Sequence, residues 1–189
     1  MIWETVVTSV SAAGRVHIAP MGVREAGGRV VLAPFRPSAT LDNILATRCA
    51  VVNLTDDVRV FAGCLTDRRD WPTTACQQID CVRLGAALAH RELKLAHIED
   101  DELRPRLSFD VVLEQTHRPF RGFNRAQAAV IEAAILVSRL DRLPAQKIDD
   151  EMRYLAIAVD KTAGPVEREA WSWLTERIRT YRSQARSTA

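Results

Sequence analysis

Through the first two thirds of the chain, apolar residues come in short runs broken by turn residues. From Asn124 onward they recur at helical spacing. "WETVVTSV", from Trp3, is mostly β-formers, and Ser11 to Gly14 turn the chain into "RVHIA". Gly27-Gly28 joins "GVRE" to "RVVLAP" as a hairpin connection. "CAVVNL", from Cys49, is nearly continuous in apolar residues and predicts a strand buried on both faces. Two longer extended pieces follow, "ALAHRELKLAHIE" and "RLSFDVVLEQT". Strict alternation in the first puts Leu88, His90, Glu92, Lys94 and Ala96 on one, wetter face. Ala89, Leu93, Leu95 and His97 take the other, interrupted by Arg91. Two short helices break the strands. Thr40 is placed to cap "LDNILATR", with Leu41, Ile44 and Leu45 inward. Asp56 or Asp57 is placed to cap "VRVFAGCL", where Val58, Phe61, Ala62 and Leu65 share a side.

Three longer helices are predicted next. Ala126, Ala129, Val130, Ala133, Val137 and Leu140 line the first, which Leu143-Pro144 ends. Ile148, Met152, Leu155, Ala156 and Val159 line the second, from Ile148 to Lys161. Gly164 breaks it, and Pro165 suits the first position of the third. That helix buries Val166, Ala170, Trp171, Leu174, Ile178 and Tyr181. Glu167 and Glu169 in its first turn, with Arg179 and Arg182 near its end, match the helix dipole. The tail "SQARSTA" is expected to fray. The pattern divides the chain into a β-rich domain over residues 1–120 and a three-helix section over 121–189. Many short strands with few helices indicate a barrel or a sandwich.

Composition narrows the class. A chain of 189 residues suits one domain plus a small appendage and needs no disulfide or metal to fold. Lys and Arg total 26 against 24 Asp and Glu, too balanced to imply a nucleic-acid or membrane partner. Cys49, Cys64, Cys76 and Cys81 form no C-x-x-C pair, and no histidine follows at zinc-ligand spacing. They read as reduced thiols, mostly buried, with no metal site expected. The N-terminus carries Glu4 and no basic region, unlike a signal peptide. No apolar run approaches the roughly 20 residues that span a bilayer, so a cytoplasmic protein is expected.

The candidate chemistry lies at strand ends. After "RVVLAP" come Arg36, Pro37, Ser38, Ala39 and Thr40, in front of a helix. A helix start offers unpaired amides and a positive dipole end, Ser38 and Thr40 add hydroxyls, and Arg36 adds a fork suited to phosphate oxygens. The same residues also serve an ordinary capped turn with a solvated arginine. Pro20, Met21 and Gly22 read as a turn or kink at a strand end; their amides, Pro20 excepted, could meet the polar edge of a planar ring. Asn53 closes a buried strand near Thr55, and Asp56 and Asp57 suit caps better than catalytic acids. Arg125, Glu132 and Arg139, seven apart, form one charged line along a helix, facing either solvent or a ligand or second subunit. No catalytic nucleophile or acid–base dyad emerges: G-x-S-x-G, the P-loop and H-E-x-x-H are all missing, and His17, His90, His97 and His117 are scattered.

"HIAPMGVR", "PFRPSATLDNIL", "AVVNLTDDV" and "GFNRAQAAVIEAAILVSRL" occur in this order. Together they resemble an uncharacterised family of FMN-binding split-barrel proteins, related to flavin reductases and more distantly to pyridoxamine-phosphate oxidases. The resemblance runs from about Val6 to Leu140. It implies a mainly β fold with α: a Greek-key split barrel followed by the helical section. It also implies a homodimer with FMN near the subunit interface. In that pattern Arg36, Ser38 and Thr40 hold the phosphate. Pro20, Met21 and Gly22 lie against the isoalloxazine, and Asn53 and Thr55 sit near the same pocket. Asn124 and Arg125 match the family's Asn-Arg pair, beside the cofactor or across the interface. Flavin chemistry needs no protein nucleophile, since the cofactor carries the electrons. Three readings stay open: an FMN-dependent oxidoreductase fed by a donor such as reduced nicotinamide; a non-catalytic FMN-binding or carrier protein; and an interaction protein without flavin. Some family members are linked to pterin-dependent one-carbon metabolism, which is context for a role.

Overall fold

Gly14, at φ 79°, lets β1 (Trp3–Val10) fold back onto β2 (Val16–Ala26). Gly27 and Gly28, at φ 59° and 75°, make the two-residue hairpin turn into β3 (Arg29–Leu32). The computed structural model describes residues 1–187. The chain continues through α1 (Ala39–Thr47), β4 (Cys49–Leu54), α2 (Arg59–Cys64), β5 (Thr73–Ala75) and β6 (Val82–Leu84). Then follow β7 (Ala89–Glu99), β8 (Arg106–Thr116), α3 (Arg125–Val137), α4 (Ala145–Thr162) and α5 (Pro165–Ser187). Six strands close into an antiparallel barrel in the order β1-β2-β3-β8-β7-β4. Because β4 returns through α1 to lie beside β1, strands 4-1-2-3 form a Greek key. The fold is the expected mainly β barrel followed by three long helices.

Two compact units result: Met1–Thr55 with Asp70–Phe120, and Asp56–Arg69 with the chain from Arg121 onward. In the first, alternate residues such as Val7, Leu32, Val52, Leu93 and Phe109 fill the barrel, and Leu41 and Ile44 of α1 join the same core. In the second, Val58 and Ala62 of the α2 segment pack with Val130, Ala133 and Ala134 of α3 and with Ala170, Leu174 and Ile178 of α5. Four of those eight contacts are alanines, so these helices meet at close range. Glu167 begins α5 as half of a capping box, accepting from Gly164 N at 2.9 Å. No helix among the described residues is long and apolar enough to cross a membrane.

Several local expectations are corrected. Pro20-Met21-Gly22 is no turn: β2 runs straight through it, paired with β1 from Val16 to Val23. β3 pairs only with Arg24 to Ala26, so Pro20 lies where β2 has a single ladder partner and a missing N–H is tolerated. Ser38 caps α1 in place of Thr40, and Leu45 is exposed. The β7–β8 ladder shifts register twice, skipping Val112 of β8 beside Glu92 and Leu93 and Ala96 of β7 between Leu95 and His97. Glu92 and Leu93 are consecutive yet both fully buried: Leu93 lies in the barrel core, while Glu92, with His90 also buried, is covered by the main chain of Gln77 and Gln78. α5 continues through the expected frayed segment as far as Ser187, while Thr188 and Ala189 lie outside the described residues.

Phe109 is the largest fully buried side chain of the barrel core. Phe109→Ala should cost about 3–5 kcal/mol, read as a lower midpoint in urea unfolding followed by circular dichroism.

Candidate functional site

Between β3 and α1 the chain is pinned by the loop that precedes β8. Arg36 N donates to Leu103 O at 2.9 Å. The Arg104 guanidinium donates to Ala33 O at 2.9 Å and lies 4.4 Å from the centre of the Phe35 ring. The Arg36 guanidinium meets Asp100 at 3.0 Å, an exposed pair of the kind worth about 0–1 kcal/mol. Another anion can therefore replace Asp100 at little cost.

Ser38 Oγ accepts from Leu41 N at 3.3 Å, and Ser38 O accepts from Asp42 N at 3.0 Å. The amides of Ala39 and Thr40 then find no acceptor among the described residues. Thr40 is only 3% exposed, yet its hydroxyl makes no hydrogen bond among those residues. Two free amides, one unpartnered hydroxyl and a weakly held guanidinium thus collect at the start of a nine-residue helix. Asp42, the acidic residue of the first turn, is exposed. This donor set suits an anion with several oxygens.

Pro20, Val6 and Asn53 are register partners across β2, β1 and β4. Pro20 and Asn53 are thus two strand spacings apart, about 10 Å. Met21 packs toward the barrel core, so Pro20 and Gly22 face outward. A Cβ added at Gly22 would come 2.8 Å from the Ile2 side chain. Asn53 is fully buried and occupied within the barrel wall. Its Nδ2 donates to Val6 O at 3.0 Å and Thr8 Oγ1 at 3.2 Å, and its Oδ1 accepts from Leu84 N at 2.8 Å. Thr55 Oγ1 donates to Ala86 O at 3.1 Å.

Asn124 and Arg125 belong to the second unit. Asn124 caps α3, accepting from Ala126 N at 2.8 Å and Gln127 N at 3.3 Å, and it donates to Thr162 O at 3.1 Å. Arg125, Glu132 and Arg139 are all exposed, and none forms an ion pair among the described residues. Asp57 accepts from Arg59 N at 3.2 Å and pairs with its guanidinium at 2.8 Å, but the N-cap position of α2 is Val58, with no side-chain cap bond, so neither Asp56 nor Asp57 takes the expected cap.

The sequence hid one polar cluster. His117 Nε2 lies 2.9 Å from His90 Nδ1 with the rings stacked, and His90 Nε2 lies 3.3 Å from Glu92 Oε1. A carboxylate only accepts, so His90 donates through Nε2 and accepts from His117 through Nδ1. Glu92 also accepts from Gln77 N at 2.8 Å and Gln78 N at 2.7 Å. Burial alone would push its pKa up, but the two amides and His90 outweigh burial and hold it below the usual value. Burial, with Arg83, His90 and Arg118 nearby, lowers His117. The spacing His90-x-Glu92 was visible, but the 14 to 15 residues separating Glu92 from its amide donors carried no signal.

Two family models match the chain. Residues 3–118 match the family model "Protein of unknown function (DUF447) N-terminal domain", and residues 124–176 match "Protein of unknown function (DUF447)". No curated protein matches the sequence. Among solved structures, the FMN-bound protein MM1853 from Methanosarcina mazei, itself matched to DUF447, superposes with a TM-score of 0.80 at 18% identity. That match covers 93% of this chain and 94% of that one. Flavin reductase HpaC, complexed with NADP+, gives a TM-score of 0.55 at 17% identity over 65% of this chain and 82% of its own. An FMN-binding protein from Thermus thermophilus gives 0.51 at 15% identity over 60% and 69%. These likenesses show the flavin-reductase type of split barrel.

Glu92 tests the polar cluster. Its depressed pKa contributes stability that is complete above the ordinary glutamate value, about 4.3, and is lost as pH falls through the lower folded value. Glu92→Gln places an amide NH2 against backbone donors. It should cost about 2–3 kcal/mol in urea unfolding at pH 7, with the gap to wild type closing below pH ~4.

Proposed function

The chain belongs to the DUF447 family, and on that footing we propose that it is an FMN-binding flavoprotein, acting as an oxidoreductase of flavin-reductase-like type. The observation that carries the reading is the unpartnered, nearly buried Thr40 hydroxyl beside the free amides of Ala39 and Thr40. These donors fit a phosphate. Arg36 exchanges its exposed partner Asp100 for phosphate oxygens, and Ser38 Oγ holds the helix start in place by accepting from Leu41 N while its O–H is left to donate to the phosphate. Pro20, on the outward face of β2, offers a short, rigid ring for a planar group to lie against, while Gly22 leaves room there for the Ile2 side chain. Asn53 and Thr55 shape that end of β4 and the loop after it, and Asn124 with Arg125 comes from the same chain or a partner subunit.

When bound, FMN would supply the electron transfer, while the protein's part is to hold and orient it. We further read the chain as a homodimer with FMN near the interface, reduced by a nicotinamide donor. The FMN-bound state of MM1853 supports the cofactor, and the NADP+ complex of HpaC supports the donor. The second reading, FMN held or carried without turnover, is supported equally by the phosphate donors, which bind whether or not electrons move. A link to pterin-dependent one-carbon metabolism belongs with that second reading.

Two substitutions test the assignment through FMN fluorescence quenching. Arg36→Ala should weaken binding about 10- to 100-fold, as expected for a hydrogen bond to a charged group. Thr40→Val should weaken it about fivefold while leaving the urea midpoint unchanged, because the hydroxyl has no partner among the described residues. Full affinity in both variants refutes the phosphate site. Bleaching of bound flavin by reduced nicotinamide, faster than that of free FMN, separates turnover from carriage.

A further inference from the structure

A cavity of about 650 Å³ lies where β1 and α1 end and β4 begins. None of the residues assigned to FMN lines it. Cys49 is on its wall, four residues along β4 from Asn53, or about 13 Å. Thr47, Arg48, Asp80 and Lys94 share that wall. Neither Arg48 nor Lys94 makes an ion pair among the described residues, Arg48 Nη2 donating only to Leu95 O at 3.4 Å, so two cations share the wall with one carboxylate.

The thiols are arranged as a pair. Cys49, Val51 and Cys81 form a small buried cluster against which Cys76 packs. Cys49 and Cys81 share that one cluster, and each shifts the titration of the other. Cys49 Sγ also lies 3.6 Å from Thr47 Oγ1 and 3.8 Å from Asp80 O, and Cys81 Sγ lies 3.8 Å from Thr8 O. All four cysteines are free. We propose that Cys49 and Cys81 are a reversible dithiol–disulfide site, and that the cavity beside them admits a small anionic disulfide as the oxidant.

The Cys49 thiolate attacks one sulfur of the small disulfide, R–S–S–R. That S–S bond breaks, and the departing R–S⁻ takes up the proton Cys49 lost. Cys81 Sγ then displaces the second R–S⁻ from Cys49, and its proton goes to that group. Two cysteine thiols become one disulfide, and one small disulfide becomes two thiols. The electrostatics agree with these roles. The neighbouring Cys81, helped by Thr47 and Lys94, lowers Cys49 against the opposing effects of burial and Asp80. The neighbouring Cys49 and burial raise Cys81, which keeps its proton until it acts. Burial pushes Cys64 up to about 11 and Cys76 up to about 12, so neither competes as a nucleophile. Arg48 and Lys94 favour an oxidant that carries carboxylates.

Oxidised glutathione is the probe, used on the full chain, with intact mass and peptide mapping as readouts. The expected result is loss of two thiols and a Cys49–Cys81 cross-link, reversed by dithiothreitol. Cys81→Ser should stop at a glutathione adduct on Cys49, and Lys94→Gln should slow the first step several-fold. Should Cys81→Ser fail to fold, competitive alkylation of the wild-type chain decides, with Cys49 labelled at least about tenfold faster than Cys64. No thiol loss, a cross-link through Cys76, or equal labelling of Cys49 and Cys64 overturns the proposal.

Discussion

The first unit depends on one buried carboxamide. Asn53 sits on β4, but its side chain bonds the backbone of β1 on one side and the amide of Leu84 on the other. It thereby joins barrel wall to the β5-β6 hairpin that covers that wall. A buried amide left without these partners would cost about 1–3 kcal/mol per unsatisfied group, so the geometry of all three strands is set together. Thr8, whose hydroxyl donates to Val82 O, extends the same seam. The thiol cluster of Cys49, Cys76 and Cys81 fills the space this hairpin encloses.

The helix start at Ser38 and the outward face of β2 work under a different constraint. There the chain leaves polar groups open rather than satisfied. Among the described residues, the amides of Ala39 and Thr40 and the Thr40 hydroxyl are donors without acceptors, whereas every fully buried side-chain polar atom has a partner. Such contrast is the physical mark of a place where something else completes the bonding.

Much of this was legible from residue pattern. The strand runs of β1, β4, β7 and β8 and all three long helices follow from periodicity, and the Gly27-Gly28 hairpin follows from glycine's access to positive φ. The misreadings share one cause: information that lies across the fold. Pro20 looks like a turn unless one knows that β3 pairs only with the far end of β2. Glu92 looks solvent-facing unless one knows that Gln77 and Gln78 cover that face of β7. Strands β5 and β6, three residues each, are too short to show any period. At the candidate site, Arg36, Ser38 and Thr40 were legible as one segment, but that Ser38 takes the cap and so leaves Thr40 free is a fact of geometry. Asn53 announced itself as a polar residue closing a buried strand, but its partners, 47 and 31 residues away, did not.

The anchoring of the segment between β5 and β6 has an evolutionary corollary. Glu92 holds Gln77 and Gln78 by their main-chain N–H groups. Every residue except proline brings that donor. The two glutamines are therefore replaceable as far as this anchor is concerned, whereas Glu92 is not. Variation within the segment is buffered by a single invariant requirement on a different strand, so the roof over the thiol pair is free to change its outer chemistry without changing its position.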